Sequence, residues 1–243
     1  MNKISIDNFY EFTYSKRKHF IEFFFKNCYE QKLYNHKIDI NHCRLKIYQD
    51  LLIFAFISEN LPKGSKILEI GGGDSRILNY FKDNYRCYNI DKLEGLGNGP
   101  KSISSDGCIL VQDYMGNFNS NLEDNSFDFV FSISALEHVP SDDISVFNNI
   151  YKDIQRVLKP GGYSLHAFDV VIKKSIVWSN PFLFYLFDVT NSVNSFIPFE
   201  EMVLDEDLFT MSESFYKESW QLITKKSYQD FGKPLSYNIL WQK

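Results

Sequence analysis

The stretch Lys66-Ile-Leu-Glu-Ile-Gly-Gly-Gly-Asp-Ser-Arg-Ile-Leu78 reads as strand, tight turn and helix, and the rest of the chain takes its place from it. Ile67, Leu68 and Ile70 form a short apolar run suited to a strand buried in a parallel sheet. Gly71, Gly72 and Gly73 then let the backbone turn where a Cβ would clash. Asp74 or Ser75 can cap the helix that opens at Arg76. Such a turn brings a ligand against backbone N–H groups at the start of a helix, the geometry of a nucleotide-type cofactor site. An ordinary strand-to-helix turn would use the same residues. Glu69, two residues before Gly71, favours the cofactor reading, because a carboxylate there suits a cationic group and not a pyrophosphate.

Downstream, Arg86-Cys-Tyr-Asn-Ile-Asp91 is a second strand whose final carboxylate stands eighteen residues past Gly73. At that separation an acidic residue can accept hydrogen bonds from both hydroxyls of a bound ribose. Residues 95–107 form a loop by composition. Cys108-Ile-Leu-Val-Gln112 is a third strand running into Asp113 and Tyr114, and Asn125-Ser-Phe-Asp-Phe-Val-Phe131 is a fourth, with residues 132–140 at its C-terminal end. A helix over 144–158 carries Ile150, Ile154, Val157 and Leu158 at core spacing, and Lys159-Pro-Gly-Gly162 stops it. Residues 163–171 make a fifth strand, and Ser236-Tyr-Asn-Ile-Leu-Trp241 a closing one. This alternation specifies an α/β chain with an open, mostly parallel sheet and helices on both faces.

The flanking regions are read more coarsely. Residues 1–60 carry apolar residues at helical spacing in Phe20-Ile-Glu-Phe-Phe-Phe25 and over 48–57, and Pro62-Lys-Gly64 stops the second run. They are expected outside the core fold as a helical cap or lid, leaving 61–243 as the main domain. Tyr10, Phe12 and Tyr14 could close over a substrate, while Lys16-Arg-Lys18 reads as a solvated face. Residues 172–235 read as an insertion after the fifth strand, with Trp178, Tyr185, Glu200, Glu201 and Asp205 as candidate acceptor contacts.

Composition narrows the partners. The formal charge of −5, from 26 Lys+Arg against 31 Asp+Glu, provides no basic field for a nucleic acid or an anionic membrane. Cys28, Cys43, Cys87 and Cys108 lack Cys-x-x-Cys spacing, which argues against a zinc ribbon or a disulfide framework. The apolar run 51–57 falls far short of the ~20 residues that span a bilayer, and residues 1–7 lack a secretory apolar region, so the expected location is the cytoplasm.

Taken in order, Glu69-Ile-Gly-Gly-Gly-Asp-Ser75, Asp91, Asp113, Ser126-Phe-Asp-Phe-Val130, Leu136-Glu-His-Val139 and Arg156-Val-Leu-Lys-Pro-Gly-Gly162 resemble class I S-adenosylmethionine-dependent methyltransferases, the subgroup often called type 11. The Leu-Lys-Pro-Gly-Gly turn separates that family from nicotinamide-dependent dehydrogenases. One departure is Ser75, which stands at the third glycine position. The resemblance implies a doubly wound, seven-stranded Rossmann-like sheet, S-adenosylmethionine as cofactor and S-adenosylhomocysteine as product. It implies that Glu69, the backbone of Gly71, Gly72 and Gly73, and Ser132 hold the methionine portion. Asp91 would then take the ribose, and Asp113 with the Tyr114 backbone the adenine edge.

The same resemblance places a general base at the C-terminal ends of strands four and five, where His138, Asp169 and His166 are the candidates. Regular pleating points His166 and Asp169 to opposite faces, so at most one of the two faces the acceptor. Relatives with Glu-x-x-Glu-His here bind a divalent ion; Ser134-x-x-Glu137-His138 lacks one ligand, and no metal is expected. The expected acceptor is a small polar molecule, a hydroxyl of a sugar or nucleotide-linked sugar in bacterial surface-polysaccharide synthesis. N-methylation of a small amine or phosphoamine and a non-catalytic cofactor-binding module are the alternatives. The oligomeric state stays open, a homodimer among the options.

Overall fold

The computed structural model describes residues 3–95, 99–103, 107–174 and 176–243. Within the glycine-rich loop at 95–107, residues 96–98 and 104–106 therefore lie outside the described residues. Seven strands form one sheet: β1 (Lys66–Ile70), β2 (Arg86–Ile90), β3 (Ile109–Val111), β4 (Phe127–Ile133), β5 (Leu158–Ile172), β6 (Val177–Trp178) and β7 (Lys233–Gln242). Four helices bear on the site: α1 (Leu45–Asn60), α2 (Arg76–Phe81), α3 (Ile144–Val157) and α4 (Pro181–Val189).

The strand order is β3-β2-β1-β4-β5, with β1 to β5 parallel. β7 runs antiparallel to β5 from Tyr163↔Gln242 to Ile172↔Lys233, and the short β6 pairs with the far end of β5. The sheet is thus the mostly parallel arrangement read from the alternation of strands and helices, in the seven-stranded, Rossmann-like form that the resemblance implied. Successive side chains enter opposite layers, as the period of two requires. Ile67, Phe129, Phe131 and Leu165 pack on one face with α1 and α2. Leu68, Val130, Ile239 and Trp241 pack on the other, with Phe147, Ile150 and Ile154 of α3 and Phe182 and Leu186 of α4. From β1 the chain winds outward through β2 and β3, then returns to β4 and winds the other way. The carboxyl ends of β1 and β4 therefore flank the topological switch point, where open α/β sheets form a crevice.

The chain crosses residue 60 without a break in packing. α1 is buried from Leu51 to Ile57 on every side, which fits a helix apolar all round. Phe56 stacks on Phe129 of β4 at 5.2 Å between ring centroids, while its neighbour Phe54 lies 5.1 Å from Tyr29 and 5.2 Å from Phe81. Ile4, Phe9, Phe20 and Phe24 belong to the same cluster as β1 and β4. Residues expected to stand outside as a lid thus share the core of the sheet.

The N-terminal segment also covers the outer edge of β7. The Asn238 N–H donates to Thr13 O at 2.7 Å, and the Ser15 N–H donates to Ser236 O at 2.9 Å. Residues 193–194 continue this edge, with the Val193 N–H donating to Leu240 O at 2.7 Å and the Leu240 N–H to Asn194 Oδ1 at 3.0 Å. No helix among the described residues is long and apolar enough to cross a membrane.

Candidate active site

At the switch point the glycine turn is held from two sides. The Gly71 N–H donates to Ile90 O at 2.8 Å, the Gly72 N–H to Asn89 Oδ1 at 3.2 Å and the Gly73 N–H to Asp91 Oδ2 at 2.9 Å. The Asn89 amide donates in return to Gly73 O at 2.9 Å. Gly71 takes φ +67°, and an added Cβ would lie 2.8 Å from Ala135 Cβ; on Gly72 it would lie 2.8–2.9 Å from the Glu69 side chain. The turn therefore presses backbone against Ala135, just past β4, and against the Glu69 carboxyl, space that only glycine leaves open.

Glu69 is buried beneath the turn, and Ser75 Oγ hydrogen-bonds its Oε2 while capping α2 through the Leu78 N–H at 3.0 Å. Desolvation lifts the Glu69 pKa to about 7, opposed by the Ser75 hydrogen bond. A buried carboxyl in that state gains from a cationic partner. Beside it, Asp50 of α1 is buried and accepts two hydrogen bonds from Arg76, at 2.8 and 2.6 Å, and one from Tyr34 at 2.6 Å.

Asp91 holds the turn through Oδ2 and the Leu93 N–H, at 2.7 Å, through Oδ1. Each oxygen keeps a second lone pair for another donor. Asp113 stands just past β3, where the Asn119 and Asn117 amides and the Tyr114 N–H hold its carboxyl below the usual range. Tyr114 is exposed beside it. The cradle that only glycines can form, the buried acid under it and the two strand-end carboxylates fit S-adenosylmethionine: a cationic methionine end at Glu69 and ribose hydroxyls at Asp91.

At the ends of β4 and β5 the base candidates separate. His166 is fully buried, with Nδ1 2.8 Å from Ser132 Oγ, Nε2 2.8 Å from Ser164 Oγ, and its ring 5.0 Å from that of Trp241. Both ring nitrogens are engaged inside the packing, and burial pulls the pKa to about 3, so His166 does not reach an acceptor. Asp169 lies at the floor of the crevice, where Gln49 of α1 donates to its Oδ1 at 2.9 Å and Ser134 Oγ lies 2.8 Å away. Ser134 takes φ +48°, which turns its hydroxyl back toward Gln49 and Asp169. Burial raises the Asp169 pKa.

Glu137 is buried, and among the described residues neither of its oxygens has a hydrogen-bond partner. Burial and the facing Asp169 carboxyl push it well above the carboxylate range. His138 projects from the same short turn with 66% of its side chain exposed, its Nε2 3.9 Å from Glu137 Oε1. The turn borders a cleft of about 780 Å³ that also involves Asp142, Trp178 and Asn180. Asn180 fixes this wall by donating to the carbonyls of Glu137 and Val139 at 2.9 and 3.0 Å.

The proposed acceptor contacts after β5 part in the same way. Trp178 borders the cleft, whereas Asp205 is taken up by Lys16 at 2.8 Å and Tyr14 OH at 2.6 Å. Tyr185 packs on Phe147 and Phe182, and Glu200 and Glu201 are exposed on a short helix, Phe199–Met202. Asn89 and Gln49 were not anticipated. Gln49 and Asp50 interrupt an otherwise apolar helical run, the one trace of their role in the sequence.

Residues 68–165 match the family model described as a methyltransferase domain. The match, the sheet order and the cradle together support an S-adenosylmethionine-dependent methyltransferase domain over these residues. The sterol 24-C-methyltransferase of Schizosaccharomyces pombe is 28% identical over 165 residues, which cover 63% of this chain and 36% of that protein. That of Aspergillus fumigatus is 32% identical over 111 residues, 42% of this chain and 27% of that protein. The chain thus spans about a third of the length of these curated relatives. A TehB-like S-adenosylmethionine-dependent methyltransferase from Corynebacterium glutamicum aligns with a TM-score of 0.48 and 17% identity, covering 90% of this chain and 96% of that one.

Proposed function

We propose that the protein transfers the methyl group of S-adenosylmethionine to a hydroxyl of a small polar acceptor, a sugar in the first instance. The cofactor supplies an electrophilic methyl on sulfur when bound. The chain's part is to seat it between Glu69 and Asp91, to place the acceptor in the cleft beside His138, and to take up the acceptor's proton at His138 Nε2. Imidazole suits that task because an alcohol loses its proton as the new bond forms. The observation that carries the acceptor class is the cleft lining. The exposed indole of Trp178 borders the same cleft as His138 and Asp142, so the lining offers an apolar face beside groups that can hydrogen-bond. A sterol, the acceptor named for the relatives, would call for a more apolar wall.

A second reading, methylation of a small amine, is supported by the adjacent carboxyls of Glu137 and Asp169, which would stabilise the positive charge that builds on a neutral nitrogen as it takes the methyl. One variant separates the two. With a hydroxyl acceptor, His138→Ala should lower kcat by about 10²–10⁴ and leave cofactor affinity nearly unchanged, since help from a base is realised in the transition state. An amine acceptor would keep kcat nearly unchanged in the same variant. The acceptor itself is found by incubating the protein with methyl-labelled cofactor and a metabolite extract and identifying by mass what gains the label; binding without turnover on any acceptor would leave only a cofactor-binding module.

A further inference from the structure

We propose that Lys46 anchors the carboxylate of the cofactor's methionine portion, so that the N-terminal helix completes the cofactor site; this rests on the cofactor reading above. Lys46, Gln49 and Asp50 share one face of α1 at i, i+3 and i+4. The latter two are fixed over the carboxyl edge of the sheet, Gln49 by its bond to Asp169 and Asp50 by its bonds to Arg76. One turn nearer the start of the helix, Lys46 stands on that same face with its side chain exposed. Its charge reaches three buried carboxyls there, Glu69, Glu137 and Asp169, and lowers each against the effect of burial.

Among the described residues Lys46 enters no ion pair. Arg76, the other cation beside Glu69, is tied to the buried Asp50 at 2.6 Å. The site therefore sets an acidic floor under one uncommitted ammonium. S-adenosylmethionine carries the complementary pattern, two cationic groups and one carboxylate. Its α-ammonium and carboxylate hang from a single carbon. Whatever seats the first near Glu69 brings the second into the range over which Lys46 already acts on Glu69.

The test compares two ligands that differ in this group. S-adenosylhomocysteine has the amino-acid portion, and 5′-methylthioadenosine keeps the adenosine and thioether without it. By calorimetry, Lys46→Met should weaken S-adenosylhomocysteine binding by about tenfold or more, the worth of one charge-assisted hydrogen bond, and leave 5′-methylthioadenosine within about twofold. Lys46→Arg should retain most of the affinity. Unchanged S-adenosylhomocysteine binding in Lys46→Met, or equal weakening of both ligands, overturns the proposal. If the wild-type protein binds neither ligand, the cofactor reading falls and the proposal with it.

Discussion

Glu69 shows how one residue ties cofactor chemistry to stability. Burial lifts its pKa from 4.5 to about 7, so between those values the folded protein holds a proton that the unfolded chain has released. The contribution is therefore fully present below pH 4.5 and lost as the pH rises through about 7, at about 1.4 kcal/mol per unit and about 3 kcal/mol in all. Denaturant unfolding at about pH 5 and about pH 8 should show Glu69→Gln gaining on the wild type at the higher pH. A difference that does not change with pH would count against the assignment. Asp91 carries a second prediction. Its oxygens already hold Gly73 and Leu93, so Asp91→Ala should lose ribose bonds worth about 1.5–3 kcal/mol each and loosen the turn as well. Asp91→Asn should fall between, and calorimetry showing equal affinity in all three would reject Asp91 as a ribose ligand. Both residues were legible in the sequence because strand, glycines and acid stand at fixed separations. Asn89 was not, since an asparagine inside a strand gives no sign of which backbone groups it will reach.

Among the elements, β1 to β5 and β7 were readable, whereas β6 and the surroundings of the sheet were not. β1 to β5 follow from apolar runs bounded by glycine, proline and polar turns, and the closing strand was placed within a few residues. α1 was read as a helix but set outside the core. Its run of residues 51–57 is apolar on all faces, and only the opposing layer of Phe9, Phe20 and Phe24 shows where the second face goes. Phe12 and Tyr14 were read as residues that could close over a substrate, and the pairing of residues 13 and 15 with β7 was missed because four alternating residues are too few to mark a strand. Gly232 forms the hinge into β7. Gly232 has φ +112°, and an added Cβ would overlap the Ile172 carbonyl oxygen. Gly232→Ala should cost about 2–4 kcal/mol or prevent folding, measured as the shift in denaturation midpoint. A shift under about 0.5 kcal/mol would mean that the hinge rearranges freely.

For the whole molecule, the shared core and the covered edge of β7 argue that residues 1–60 cannot be removed as a lid. A fragment of residues 61–243 should be poorly folded, because it bares the edge of β7 and one layer of the sheet. Circular dichroism and thermal unfolding test this, and a cooperative fragment that still binds S-adenosylhomocysteine would restore the boundary near residue 60. The strand that closes the sheet has a further consequence, in time and not in space. The Asn238 amide meets Phe12 O across 226 residues of sequence, and Ser15 Oγ lies against the Ser236 N–H across 221. Such pairings carry a large loop-closure entropy and form late. As the polypeptide is synthesised, the backbone groups of residues 12–15 must wait for that edge until residues 233–242 have been made. The chain is then most exposed to aggregation just before synthesis of β7 is complete.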